Sequence, residues 1–384
     1  MPLLFSNKSI LKIELKIDPK IAHCKSLWDD FLPENHHLKS SHLQAFEDAE
    51  IDDIENFYIQ IYSKGKLLGI LYLQQFQFQH KHLNFNDQQQ LLSKIIKILL
   101  PSKIPLLVCG HLFRINFQGF YFKNESHKSL VFDAVKIFTK ESGFCKPKGI
   151  IVKDCEDVFI EQNCALFGYH FFNGDVTMEL QRRSYWFSFE DYLNDLHKKY
   201  LQRAKKIIKA IEIIEKRELH ANEIMNQADA IMKLYWQVVN KQSVKLGTIN
   251  ANYFCEMKKD LKERFEFHAL YKNQVMIGFY TFIFYDANRM ETHYIGLNYE
   301  ENKTHQIYFN ILFLAAKRMI EGQYNRLELG RTARDAKANL GAVPKQIFNY
   351  ISVKNIFVKF TLNHFLNKFN ESESKNLVSR TPLK

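Results

Sequence analysis

The stretch from Arg289 to Tyr350 holds the densest set of residues able to do chemistry. Arg289 to Leu297 reads as a strand, and strand alternation puts Glu291 and His293 on one face and Thr292 and Tyr294 on the other. A carboxylate and an imidazole so placed can remove a proton from a nucleophile, and the imidazole has the better intrinsic pKa for it. The same two residues can also be a satisfied imidazole beside a carboxylate paired to a local cation. Tyr294 or Tyr308 can protonate a leaving group, although 18 tyrosines make residue type a weak guide.

Further along, Leu327-Glu328-Leu329 runs as a strand into Gly330, where the backbone can turn or approach a ligand closely. Thr332 is placed to cap a short helix, whose exposed amides can hold an anion. Arg331, Arg334 and Lys337 add three cations within seven residues. This strand-turn-helix junction is expected to hold a phosphate or carboxylate. A second cationic surface is expected on a helix that begins at Ser188, with Asp191 completing a capping-box variant, and runs to Arg217. Its apolar face carries Tyr192, Leu196, Ile207 and Ile211. Its other face carries Lys198, Lys199, Arg203, Lys205, Lys206 and Lys209, with Lys216 and Arg217 in the last turns. That face can track a polyphosphate or a tRNA backbone, or it can be solvated with its cations near the helix C-terminus.

The elements that must position these groups occur twice. Phe57 to Tyr62 and Leu67 to Phe78 form a hairpin around Ser63-Lys64-Gly65-Lys66. Phe265 to Tyr271 and Val275 to Tyr285 form another around Lys272-Asn273-Gln274. Tyr62 and Gly69 match Tyr271 and Gly278 at the same spacing, 209 residues on. After each hairpin come a strand, a helix and a strand: Leu106 to Cys109, Lys128 to Glu141 and Gly149 to Lys153 in the first case, and Met290 to Leu297, Ile307 to Glu321 and Arg326 to Leu329 in the second. This order predicts an internally duplicated α/β chain, with a half at 1–180, a half at 181–369 and a disordered tail at 370–384. A polar loop is expected from Asn298 to Gln306, and Gly322 as a helix stop.

Composition narrows the class. The chain has 384 residues, is 46% hydrophobic and 14% aromatic, and can fill two cores. Its net charge of +11 attracts phosphates without fixing a partner. The six cysteines form no CxxC pair, and Cys155 and Cys164, nine apart, have no histidine at ligand spacing, so free thiols and no metal are expected. The apolar start is too short for a signal peptide, and no apolar run approaches a membrane span, so a cytoplasmic location is expected. No Walker loop or GxGxxG is present.

His293-Tyr294-Ile295-Gly296-Leu297, the helix start Tyr308-Phe309-Asn310, Gly330-Arg331-Thr332, and Lys337 followed by Leu340-Gly341-Ala342 together resemble the GNAT-related N-acyltransferases that include the Fem-type peptidyltransferases. The resemblance implies two tandem GNAT-like mixed sheets flanked by helices. It also implies transfer of an activated acyl or aminoacyl group to the amine of a cell-envelope precursor or small metabolite. The acyl donor would enter where the strands Met290–Leu297 and Arg326–Leu329 part. Lys337, in the Lys-x-x-x-Gly turn, would contact substrate phosphate or developing charge. Glu291, His293, Tyr308 and Lys337 are therefore the expected catalytic residues. Gly330, Arg331, Thr332, Arg334, Asn310, Lys199 and Arg203 are the expected substrate- and phosphate-binding ones. One departure bears on the donor: members that use acyl-coenzyme A carry a Gly-rich loop where this chain has Tyr299 to Gln306, without glycine and with Glu300 and Glu301. Fem-type members, which take their acyl group from aminoacyl-tRNA, also lack that loop. The donor is thus acyl-coenzyme A or aminoacyl-tRNA, and a duplicated fold that only binds RNA or polyphosphate is the alternative.

Overall fold

The computed structural model describes residues 11–79, 82, 102–141, 146–160, 164–241, 247–285, 288–353 and 380–384. In chain order the first half runs β1 (Glu14–Asp18), α1 (Lys25–Phe31), α2 (Ser40–Asp48), β2 (Ile54–Ser63), β3 (Lys66–Gln79), β4 (Lys103–Cys109), β5 (Phe120–Phe122), α3 (Leu130–Glu141), β6 (Gly149–Cys155) and β7 (His170–Gln181). The second half opens with α4 (Phe189–Asp195), α5 (Lys198–Lys209), β8 (Glu215–Glu218), α6 (Ala221–Asn226), α7 (Ala228–Val239) and α8 (Ala251–Leu261). It continues with β9 (Phe265–Lys272), β10 (Val275–Phe284), β11 (Arg289–Leu297), α9 (Tyr299–His305), α10 (Ile307–Glu321), β12 (Arg326–Glu328), α11 (Arg334–Ala338) and β13 (Val343–Val353).

The duplication extends to the hydrogen-bond register. In the first hairpin Ile61 pairs with Gly69 and Tyr62 with Leu67, leaving Leu68 as an extra residue. In the second, Leu270 pairs with Gly278 and Tyr271 with Met276, leaving Ile277 extra. The two bulges fall at equivalent positions, which two identities in sequence only hinted at. Each half then has one parallel pair joined by a helical crossover: β4 with β6 through α3, and β11 with β12 through α10.

The two expected sheets are joined edge to edge into one mixed sheet, ordered β1-β2-β3-β4-β6-β13-β7-β12-β11-β10-β9-β8, with β5 on β3 alone. The equivalent last strands are exchanged. β13 pairs with β6 of the first half, β7 pairs with β12 of the second, and β7 and β13 pair with each other. Each half thereby covers an edge that the other would leave open.

Helices α4, α5 and α10 cover one face of the second half over Met178, Leu180, Met290 and Leu327. The opposite face packs on α7 and α8, whose Tyr253 and Phe254 share a cluster with Phe46 of α2 in the first half. Asn250 and Asn252 donate to the carbonyls of Ala49 and Asp48 across the same seam. Burying a large apolar side chain contributes about 1.5–3 kcal/mol, so this shared cluster ties the halves together.

Several local expectations are corrected. The helix begun by Ser188 stops at Asp195, resumes at Lys198 and ends at Lys209. Leu196 is extended there, where it bridges to Leu383 while His197 N–H donates to the Pro382 carbonyl. Lys216 and Arg217 lie on β8, paired with β9. The stretch Tyr299–His305 is a helix, because the Asn298 side chain accepts from the amides of Glu300 and Glu301 and those two acidic residues suit its first turn. Residues 380–384, within the tail expected to be disordered, dock: Arg380 donates to Asp335 and Asn339. Residues 370–379 lie outside the described residues. No described helix is long and apolar enough to cross a membrane.

The Ser188 cap itself forms as expected. Asp191 N–H donates to Ser188 Oγ at 3.2 Å and Ser188 N–H to Asp191 Oδ2 at 2.7 Å. Ser188→Ala is expected to cost about 1 kcal/mol, read as a lower urea midpoint with an unchanged slope.

Candidate functional site

The pairing of β11 with β12 lasts for three residue pairs, Arg289 with Arg326, Met290 with Leu327 and Glu291 with Glu328. Beyond Glu291 the parallel strands part, and the chemically rich residues gather at that point. His293 Nδ1 lies 2.7 Å from Glu291 Oε1, and His293 Nε2 lies 2.7 Å from the Tyr253 hydroxyl on α8. Tyr285 donates from its hydroxyl to Glu291 Oε2 at 2.5 Å and accepts from Arg114, whose Nη1 also donates to His42 Nδ1 at 3.2 Å. The chain of contacts thus runs from the first half, through Arg114, to Tyr253 in the second.

Its electrostatics follow from burial and partners. Burial pushes the Glu291 carboxyl up, but the hydrogen bond and charge of His293, with Arg114 and Tyr285, hold it down to about 2. Burial pushes the His293 imidazole below its ordinary value by more than Glu291 raises it. Glu291 is therefore ionised and His293 neutral at pH 7. An ionised carboxylate only accepts, so His293 carries its proton on Nδ1 and leaves Nε2 to accept from Tyr253. This gives a hydroxyl-imidazole-carboxylate relay of defined tautomer, able to draw a proton through Tyr253.

Glu328, beside Glu291 on β12, and Glu179, opposite Glu328 on β7, set three buried carboxylates abreast. Glu328 Oε1 accepts from Thr177 Oγ1 and, at 2.9 Å, from Gly330 N–H, while its Oε2 has no partner among the described residues. Burial raises its pKa, and Glu291 and Glu179 add to the rise against the two hydrogen bonds. Lys337 reaches the same turn from α11, donating to the Gly330 carbonyl at 3.0 Å. Gly330 has φ +84°, and an added Cβ would sit 3.3 Å from Ile115 of the first half. The turn is therefore bracketed by a carboxyl on its amide and an ammonium on its carbonyl.

Other expected site residues lie elsewhere or have other work. Arg331 binds Asp175 at 3.0 Å and also Asp154, clamping β6, β7 and the β12 turn together, so it is not available to a phosphate. Arg334 is buried and donates to the Arg331 carbonyl at 3.1 Å. Thr332 is exposed and caps nothing: the residue before α11 is Ala333, in the left-handed region. Asn310 donates to the carbonyls of Ile207, His305 and Gln306, fastening α10 to α5. Tyr308 packs with the α5 and α10 core, on the sheet face opposite Glu291. Lys199 and Arg203 are exposed on α5, and Arg203 lies over the Phe309 ring. The structure thus brings Glu291, His293, Gly330 and Lys337 to the parting strands and leaves Tyr308, Asn310, Lys199 and Arg203 on the other side.

Arg114, Tyr253, Tyr285 and Glu328 were not foreseen. Only Glu328 had a local signal, a charge between two leucines in a strand expected to be buried. Arg114 and Tyr253 enter through contacts of long sequence separation, and Tyr285 from just beyond the end of the preceding strand, six residues before Glu291.

No protein-family model matches the chain, and no curated protein matches it. Among solved structures it is similar to FemX, at 11% identity and a TM-score of 0.52, covering 89% of this chain and 98% of that one. A tandem GNAT protein from the clavulanic acid biosynthesis pathway, without AcCoA, matches at 10% identity and a TM-score of 0.48 over 90% and 99% of the two chains. L-PGS from Bacillus licheniformis matches at 12% identity and 0.47 over 82% and 89%. The chain has the tandem GNAT-like architecture of FemX.

Proposed function

We propose that the chain is an N-acyltransferase whose reacting centre lies where β11 and β12 part. The observation that carries this reading is the Tyr253–His293–Glu291 relay at the last paired residue of β11. An amine attacking an activated carbonyl must lose a proton, and the relay accepts it through Tyr253 onto neutral His293, whose new charge is held by ionised Glu291. Lys337, which donates to the Gly330 carbonyl, is the cation for the developing oxyanion, and Glu328, whose carboxyl burial and its carboxylate neighbours push above its ordinary value, is the acid for the leaving group. The relay is enclosed: the His293 side chain is 1% exposed. The segment of residues 110–117 lies over it, with Tyr294 donating to the Phe113 carbonyl at 3.4 Å and Ile115 against Gly330. Substrates reach the relay when that segment moves aside.

The reading takes aminoacyl-tRNA as donor in preference to acyl-coenzyme A. At the turn into α10, where a helix N-terminus can receive a pyrophosphate, the Tyr308 amide donates to Asn302 Oδ1 at 2.8 Å, and Gln306 takes the left-handed conformation. The protein fills that position itself. The face of α5 that exposes Lys198, Lys199, Arg203, Lys205, Lys206 and Lys209 suits a polyanion. The acceptor is an amine of a cell-envelope precursor or small metabolite. The test is transfer from charged tRNA, or from acyl-coenzyme A, to a panel of amines. Product from charged tRNA, with turnover reduced in Lys337→Ala, is expected. Product from acyl-coenzyme A alone would reassign the donor. Salt-sensitive tRNA binding without product from any donor would replace the reading by a non-catalytic RNA-binding one.

A further inference from the structure

A cavity of about 190 Å³ opens at the seam between the halves, at the start of β11 and β12, away from the His293 end of the relay. Its first-half wall includes His36 and Glu156, and its second-half wall Tyr285, Arg289 and Arg326. The strand register sets Arg289 and Arg326 directly opposite each other. Like charges so placed repel, and such a pair persists where a counter-charge is at hand.

One arginine has that counter-charge. Arg289 lies over the Tyr285 ring, 3.8 Å from its centroid, with Nη1 3.5 Å from Glu156 Oε1. The Arg326 guanidinium has neither hydrogen bond nor ion pair among the described residues. A third donor faces the same space. His36 Nδ1 accepts from Leu38 N–H at 3.1 Å. Burial, helped by Arg289 and Lys39, lowers this imidazole to about 4, so it is neutral at pH 7 and carries its proton on Nε2. That Nε2–H has no partner among the described residues. The named walls therefore hold two arginines against one carboxylate, together with a free N–H. The volume falls below the roughly 300–1,000 Å³ of sites for drug-sized ligands.

We propose that this cavity is a second binding site, for a small oxyanion held by the Arg326 guanidinium with Arg289 and His36 Nε2–H. A carboxylate or a phosphate supplies this chemistry, either free or as the end group of a larger molecule. The planar fork of a guanidinium matches both. The site does not depend on acyl transfer, but Tyr285 is at once its wall and the hydrogen-bond donor to Glu291, so occupancy is communicated to the relay.

The test is calorimetric titration of the full chain with inorganic phosphate and, separately, with acetate. Ionic strength is held constant so that diffuse attraction to the basic surface cancels. One-to-one saturable uptake of at least one anion is expected. Arg326→Gln should weaken it by about tenfold or more, the loss of one charge-assisted interaction. Arg326→Lys should fall between the two, because it restores charge without the fork. Thermal unfolding of Arg326→Gln without anion should show no loss of stability, since the substitution relieves the repulsion with Arg289. Tighter phosphate identifies a phosphate group as the natural ligand, and tighter acetate a carboxylate. Failure of both anions to saturate, or equal binding by Arg326→Gln, overturns the assignment.

Discussion

His293→Ala is expected to lower kcat for acyl transfer by about 10²–10⁴-fold, the span of a lost general base, while the protein remains folded. His293 Nε2 is the acceptor that lets Tyr253 take a proton, and only the imidazole connects Tyr253 to the Glu291 charge. Glu291 keeps Tyr285 and Arg114 nearby in the variant, so its charge stays compensated. Tyr253→Phe should lose a comparable factor with little change in KM, because the hydroxyl acts in the transition state. The pH profile is a separate check. His293 lies below its ordinary 6.5, so kcat/KM should stay level as pH falls to 6.5 and drop only in more acid solution. Wild-type turnover in His293→Ala would remove the relay from the mechanism.

The second large effect is on stability. Arg331→Gln is expected to destabilise the fold by about 3 kcal/mol, the lower end of the cost of breaking a buried ion pair, since the Arg331 side chain is 20% exposed. Asp154, fully buried, would retain Lys153 and the Phe117 amide and lose the guanidinium that also holds Asp175. The damage should spread, because Lys153 fixes the carbonyls of His111 and Arg114 and thereby the segment that carries Arg114 to the relay. The acid limb gives the sign. Burial pushes the Asp154 carboxyl up, and Arg331 and Lys153 outweigh it, leaving it below 3.8. A carboxyl depressed on folding stabilises above its unfolded pKa, and the contribution fades as pH falls through the folded value. Wild-type stability should therefore decline below pH 3.8, and Arg331→Gln should flatten that decline. If the variant kept its melting temperature but lost donor affinity, Arg331 would be a ligand contact and not a clamp.

Much of the chain was legible from local pattern. Alternation and turn residues located both hairpins to within a few residues, and helical periodicity located α3 and α10. The period of two placed Glu291 and His293 on one face before any contact was known, and the structure joins them. The same period put Tyr294 on the opposite face, but a bulge leaves His293 and Tyr294 both opposite Thr281 and turns Tyr294 to the His293 side, against Tyr253 and Phe254. Sequence alone also determined the repeat, because both copies carry the same order of elements.

Other features depended on partners far along the chain. Leu383 and Pro382 meet Leu196 and His197 where helical periodicity promised an unbroken helix, and no window of sequence contains both. The exchange of β7 and β13 is a choice of strand neighbours, which edge hydrogen bonds decide and local propensity does not. The three cations near Gly330 looked alike in sequence. Packing sent Arg331 to two carboxylates from the first half and Lys337 to the Gly330 carbonyl, because a buried charge must find a partner and the nearest one is fixed by topology. For the same reason Arg114 and Tyr253 complete the relay. Sequence determined which residue types were available on each face, and the tertiary structure decided which charges were satisfied by the protein itself and which, like Arg326, were left for a ligand.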